Sequence, residues 1–290
     1  MKRLINTPRG YRGAALRGTV LLALLLLLSA GRIFASVLVA PTVVVLSDLK
    51  RTGRIILRNP GNTPKEVSVR FSFGLPESDS LGNVTVQLDD SALTDPRSAA
   101  TWIKAFPRKM VLPAGAQQIV RFVANPPKDL TDGEYWARVV VSSQSAASEL
   151  PATPQAGEIS AKINSIIQTA ISLKYRTGDL DAALDVSQPK ASLTDGKVVV
   201  MIDMTNRGNV SYLGLLSCRL LDAEKKEVMA MSQNVAVYYD LRRRIDLPVP
   251  DSGFVAPYQV EMTISTTGRT DVPVTEIVPG NRVEYLLAVE

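Results

Sequence analysis

Residues 163–176 read INSIIQTAISLKYR, fourteen positions over which apolar and polar side chains alternate with a period of two. Ile163, Ile167, Ile171, Leu173 and Tyr175 fall on one face with Ser165 and Thr169 between them. Asn164, Gln168, Ser172 and Lys174 take the other, as a half-buried strand requires. An ordinary strand has about five or six residues, so this one outruns the sheet that holds its C-terminal half. The segment before it, SSQSAASELPATPQAGEISAK over 142–162, is rich in small residues and proline and too poor in apolar ones to fold alone, so it reads as a long loop. A strand entered from such a loop offers main-chain donors and acceptors to another polypeptide. The first half of 163–176 is read as a donor strand.

Outward from it, the chain is a succession of short strands with hardly any helical repeat, and the fold class is all-β. Runs at 37–46, 54–58, 66–73, 84–88, 102–106, 118–124 and 135–142 precede the long strand, and runs at 198–205, 212–221, 227–232, 245–247, 258–265 and 283–288 follow it. Their spacing is that of a β-sandwich, and two series imply two sandwiches, because a single core stops growing near about 250–300 residues. The expected division is a leader over 1–31, a first domain over 32–177 and a second over 178–290. Each series contains an N-x-G-N connection, Asn59-Pro60-Gly61-Asn62 and Asn206-Arg207-Gly208-Asn209. Asn and Gly tolerate positive φ, so both are read as tight turns.

The leader holds Lys2, Arg3, Arg9, Arg12 and Arg17 without an acid, then an apolar run over 20–28, then Ser29, Ala30 and Gly31. This is the pattern of a secretory signal peptide, cut after Gly31, with an uncleaved anchor as the alternative. Removing those five charges takes the net charge of +5 to zero, which leaves nucleic-acid binding without a basic face to carry it. Arg242, Arg243 and Arg244 read as a solvated strand end. The single cysteine, Cys218, allows no intramolecular disulfide and is expected in the core. The chain has no histidine, so Ser/His and Cys/His nucleophiles and the commonest neutral metal ligand are missing. The paired acids Asp89 with Asp90 and Asp179 with Asp181 sit in polar, turn-like stretches. No catalytic residue, metal site, cofactor or small-molecule substrate is assigned.

In order and spacing these runs resemble the PapD-like periplasmic pilus (fimbrial) chaperones across nearly all of 37–290, and the chain reads as a divergent member. IKAFPRKMVLPAGAQQIVRF over 103–122 is similar to the family's P-x-x-x-x-L-x-P-G-x-x-Q-x-V-R passage, through Pro107, Leu112, Pro113, Gly115, Gln118, Val120 and Arg121 with one residue of slack. LTDGEYWARVVV over 130–141 looks like the signature D-x-E-S-x-(aromatic), with Asp132 and Glu134 in place and Tyr135 where serine is usual. Gln168, Thr169, Ile171, Leu173, Tyr175 and Arg176 match the family's subunit-binding G1 strand, and MTNRGNVSYLG over 204–214 resembles its turn into the second domain.

The resemblance implies two immunoglobulin-like sandwiches set as an L, working in the periplasm without ATP. It also implies that the G1-like strand completes pilus subunits by donor-strand complementation, for delivery to an outer-membrane usher. Ile163, Ser165, Ile167 and Thr169 occupy the subunit-binding places. Two buried isoleucines would contribute about 1.5–3 kcal/mol each. The family's two cations for a subunit's terminal carboxylate fall at Val43 and Ser172, neither of them charged, and Lys174 or Arg51 is the expected replacement. Glu134, Arg176 and Asp271 are expected to form a polar network between the domains. Self-association of the empty protein would cap its exposed edge. The alternatives weighed are a structural or accessory sandwich protein of a surface assembly, and an exported enzyme, which without histidine would require an unrecognised acid pair.

Overall fold

Burial with a period of two runs through most of the segments that the sequence marks as strands, which is what stacks them into sheets around shared cores. The structure is a computed structural model, and it describes residues 36–146, 165–250 and 253–290. The expected leader, Ile163 and residues 147–162 of the expected loop lie outside the described residues, and 142–145, expected in that loop, are strand.

The first eleven strands are β1 (Leu38–Ala40), β2 (Val43–Ser47), β3 (Thr52–Arg58), β4 (Lys65–Ser72), β5 (Pro76–Ser78), β6 (Val84–Val86), β7 (Ile103–Phe106), β8 (Lys109–Leu112), β9 (Gln117–Ala124), β10 (Gly133–Ser145) and β11 (Ile167–Thr177). They form a sheet ordered β1-β3-β9-β7 and another ordered β2-β11-β10-β4-β8, with β5 and β6 as a separate hairpin. The second series is β12 (Leu184–Thr194), β13 (Lys197–Asn206), β14 (Tyr212–Leu221), β15 (Glu227–Val237), β16 (Asp240–Pro248), β17 (Gln259–Ser265) and β18 (Val283–Ala288), in sheets ordered β12-β13-β16 and β15-β14-β17-β18. Lettered in chain order, these are the A-B-E-D against G-F-C and the A-B-E against C′-C-F-G arrangements of immunoglobulin-like sandwiches. One core draws on Leu46, Ile55, Phe122, Leu173 and Tyr175, and the other on Ile202, Tyr212, Leu220, Val260 and Ile264. Cys218 is buried in the second core, where desolvation pushes its thiol up to about 12.

Three expectations change. The run over 37–46 is two strands: β1 pairs antiparallel with β3, and β2 pairs parallel with β11 in the opposite sheet. The two N-x-G-N turns do not use positive φ at their Asn or Gly positions. Instead, Asn59 Oδ1 accepts the Gly61 N–H at 3.0 Å and Asn206 Oδ1 accepts the Gly208 N–H at 3.0 Å, so each asparagine side chain closes the turn. Each Nδ2 then ties the turn to a carbonyl far along the chain, that of Leu112 at the end of β8 in the first sandwich and that of Tyr238 in the β15–β16 turn in the second. Finally, Arg242, Arg243 and Arg244 lie within β16 rather than at its end. Arg242 pairs with Asp203 and Arg244 with Asp246, each at 2.7 Å.

Gly133 opens β10 at φ +128°, where a Cβ would stand 2.5 Å from the Asn209 carbonyl oxygen. Only glycine lets the chain approach the second sandwich so closely there. The next residue, Glu134, uses that approach by donating its N–H to Asn209 O at 2.9 Å.

Candidate functional site

β11 passes between two environments. Along its whole length one edge pairs with β10, from Ile167 opposite Ser143 to Thr177 opposite Gly133. On the other edge, β2 covers only Ser172 to Arg176. The Ser172 N–H donates to Thr42 O at 3.0 Å. Residues of the same parity turn their N–H and C=O groups to the same edge. Gln168 and Ala170 therefore present main-chain donors and acceptors on the side that no described strand occupies.

The side chains follow the same division. Ile171 is 3% exposed and packs in the core with Leu173 and Tyr175, whereas Ile167 is 38% exposed and Ser165 is exposed. Thr169 is half-buried. Ile166, which the alternation placed on the polar face, is 62% exposed. Together with Met110, Val111, Ser142 and Gln168 it lines an open groove of about 610 Å³ beside this half of the strand. Its signal in the sequence was the first isoleucine of the Ile166-Ile167 pair, which breaks strict alternation.

Farther along β11, on the face that carries Gln168 and away from the core, lies a buried charge cluster. Glu134 Oε1 accepts from Lys174 Nζ at 2.7 Å, Trp136 Nε1 at 2.7 Å and Ser211 Oγ at 2.5 Å, and Oε2 accepts from Arg176 Nε at 2.8 Å. Lys174 also donates to Ser211 Oγ, and Arg176 Nη2 donates to Glu276 O at 2.9 Å. Ser211, just before β14, and Glu276, in a short 3-10 turn between β17 and β18, belong to the second sandwich, so the cluster joins the two sandwiches. Burial raises the Glu134 pKa, but the two cations and the hydrogen bonds outweigh it and hold the carboxyl at about 2.

These placements sort the expected site residues. Glu134 and Arg176 meet at 2.8 Å. Asp271 does not join them, because Arg269, two residues earlier, takes its carboxylate at 2.9 Å and 2.5 Å. Lys174 is 1% exposed and committed to Glu134, so it is no replacement cation at an open cleft. Arg51 sits past the far end of β2, 3.7 Å from Asp48, whose carboxylate also accepts from Tyr175 and Thr177. It is therefore displaced from Ser172.

Val43 and Ser172 are direct register partners, so the two uncharged positions do stand together. The neighbour of Ser172 on its other side is Arg138 of β10, which the sequence reading passed over inside an apolar run. Arg138 is 9% exposed and donates from Nε to Gly74 O at 2.7 Å. It has no carboxylate partner among the described residues. Its guanidinium lies 5.7 Å from the centre of the Tyr238 ring, which Lys174 approaches at 4.8 Å, and the Tyr238 hydroxyl is 3.3 Å from Ser172 Oγ. Burial raises the Tyr238 pKa, yet the positive charges of Lys174 and Arg138 outweigh it and lower the net value. Three cations against the single carboxylate of Glu134 make this corner electropositive, suited to an anion.

No family model matches the chain, and no curated protein matches it. Among solved structures it is similar to the CsuC–CsuE chaperone–tip adhesion subunit pre-assembly complex from archaic chaperone-usher Csu pili of Acinetobacter baumannii, at 13% identity and a TM-score of 0.44, covering 88% of this chain and 100% of that one. It is similar to the structure of Salmonella enterica SafA pilin in complex with the SafB chaperone, at 16% identity and a TM-score of 0.42, covering 89% and 99%. The Pseudomonas aeruginosa CupB2 chaperone matches at 12% identity and a TM-score of 0.40, covering 86% and 98%.

Proposed function

We propose that this chain is a periplasmic chaperone for pilus or fimbrial subunits. It acts without ATP or covalent chemistry, lending the N-terminal half of β11 to a subunit's unfinished sheet before an outer-membrane usher receives that subunit. The observation that carries the reading is the open edge at Gln168 and Ala170, next to the exposed Ile167, on a strand whose other half is locked into the core. Main-chain pairing along that edge supplies affinity, and alternate side chains at 163, 165, 167 and 169 supply the fit. Arg138, beside Ser172 and Val43, takes the part of the missing carboxylate-binding cations and fixes the register of the bound strand.

The test is co-expression in the periplasm with a subunit encoded beside it. The wild-type protein is expected to recover soluble subunit in a one-to-one complex. The variant carrying Ile163→Asp and Ile167→Asp loses that recovery while its own thermal melt is unchanged, and Arg138→Gln weakens it. Equal recovery by the aspartate variant, or none by the wild type, defeats the reading.

A further inference from the structure

Among the described residues β16 is an edge strand, paired with β13 on one side only in the sheet β12-β13-β16. Residues of one parity along it turn their N–H and C=O groups away from β13, leaving a row that calls for partners. Part of that row is met from the first sandwich. The Arg242 N–H donates to Ser78 Oγ at 2.8 Å, and the Arg244 N–H donates to Gly82 O at 3.3 Å. Ser78 and Gly82 belong to the β5–β6 hairpin, an arm in the connection from β4 to β7 whose strands pair with each other, apart from both sheets of that sandwich.

The arm is shaped for this contact. Asp79 closes its tip by accepting the Leu81 and Asn83 N–H groups at 2.9 Å each and Asn83 Nδ2 at 2.8 Å. Gly82 follows at φ +78°, where a Cβ would stand 2.6 Å from Arg244 N, so both the turn and the close approach require glycine. Val84, on the returning strand, packs against the core of the second sandwich. The stem is held at the junction as well: Phe73 and Leu75 cluster with Trp136 and with Tyr238 of the second sandwich, and Gly74 O accepts from Arg138 Nε at 2.7 Å. A two-stranded hairpin this short is at best marginal by itself, so docking on β16 is what keeps the arm in place.

We propose that the β5–β6 hairpin is a latch between the sandwiches. It stands where a further strand beside β16 would stand, and it ties the second sandwich to the first separately from the Glu134 cluster. The cluster fastens β10 and β11 to Ser211 and Glu276, whereas the latch fastens the β4–β7 connection to β16. One attachment leaves a pivot, and a second removes it. Release of the latch frees the angle between the sandwiches and uncovers the edge of β16 together. The inference concerns the chain without any partner and does not depend on the donor-strand reading.

The test is NMR on the full chain, reading amide exchange and the residual dipolar couplings of each sandwich. In the wild type the Arg242 and Arg244 amides should exchange at least roughly a hundredfold more slowly than unstructured ones, and one alignment tensor should fit both sandwiches. Gly82→Val, which forces the tip off β16, should speed exchange at Arg242 and Arg244 by about tenfold or more and give the sandwiches different tensors, while the Val200 and Ile202 amides stay protected. Ser78→Ala removes one acceptor without altering the backbone and should speed Arg242 alone, which keeps the test decisive if Gly82→Val does not fold. Free exchange at Arg242 and Arg244 in the wild type, unchanged exchange at Arg242 in Ser78→Ala, or a single shared tensor in folded Gly82→Val overturns the proposal.

Discussion

From Ser172 to Arg176, β11 is paired on both edges, its inward side chains close the core, and its outward cations are captured by Glu134. From Ile167 to Ile171 the same strand is paired on one edge only and ends among exposed isoleucines. What separates the two halves is the length of β2. Five residues of β2 cover the C-terminal half, and Pro41 and Thr42 carry the chain away to β1 in the opposite sheet. Rigidity and availability are thus built into one strand by truncating its neighbour, and substitutions in the two halves should have separable effects.

The largest separation is expected at Glu134. Glu134→Gln leaves Lys174 and Arg176 buried without their counter-charge and should cost about 3–5 kcal/mol of stability, read from denaturant unfolding. Acid acts at the same point. The folded-state pKa of Glu134 is depressed from an ordinary 4.5 to about 2, so its contribution is complete above about pH 5 and is lost as pH falls through about 2. That contribution is on the order of 3 kcal/mol. An unfolding free energy that is flat between pH 5 and pH 2, or that falls as steeply in Glu134→Gln, would contradict it.

A smaller contrast pits residues six apart on the same face. Leu173→Ala removes a fully buried side chain and should cost about 2–5 kcal/mol. Ile167→Ala removes a partly exposed one and should change stability by about 0.5 kcal/mol or less while still weakening subunit recovery. Equal destabilisation by the two would mean that the open half of β11 is structural.

Alternation made the strands legible, because period-two burial is a local property that a sequence displays directly. It also located the β11 core face, with Ile171, Leu173 and Tyr175 all buried. What it could not display were partners far along the chain. A lysine on the polar face of a strand is solvated by default, and Lys174 is buried only because Ser211 and Tyr238 arrive from the second sandwich. Asp271 looked free to reach Arg176, yet Arg269 claims it from two residues away. Arg138 was hidden for a related reason: it follows Trp136 and Ala137 and precedes three valines, so its role depends on register with Ser172 and Val43, which only pairing reveals.

The open edge itself is tested most directly by hydrogen exchange at single amides of dilute, monomeric protein, alone and bound to a subunit. In the free protein Gln168 and Ala170 should exchange rapidly while Leu173 and Tyr175 are protected, and binding should protect Gln168 and Ala170 without altering the others. Protection of Gln168 and Ala170 in the free monomer, or continued rapid exchange in the complex, would contradict the account.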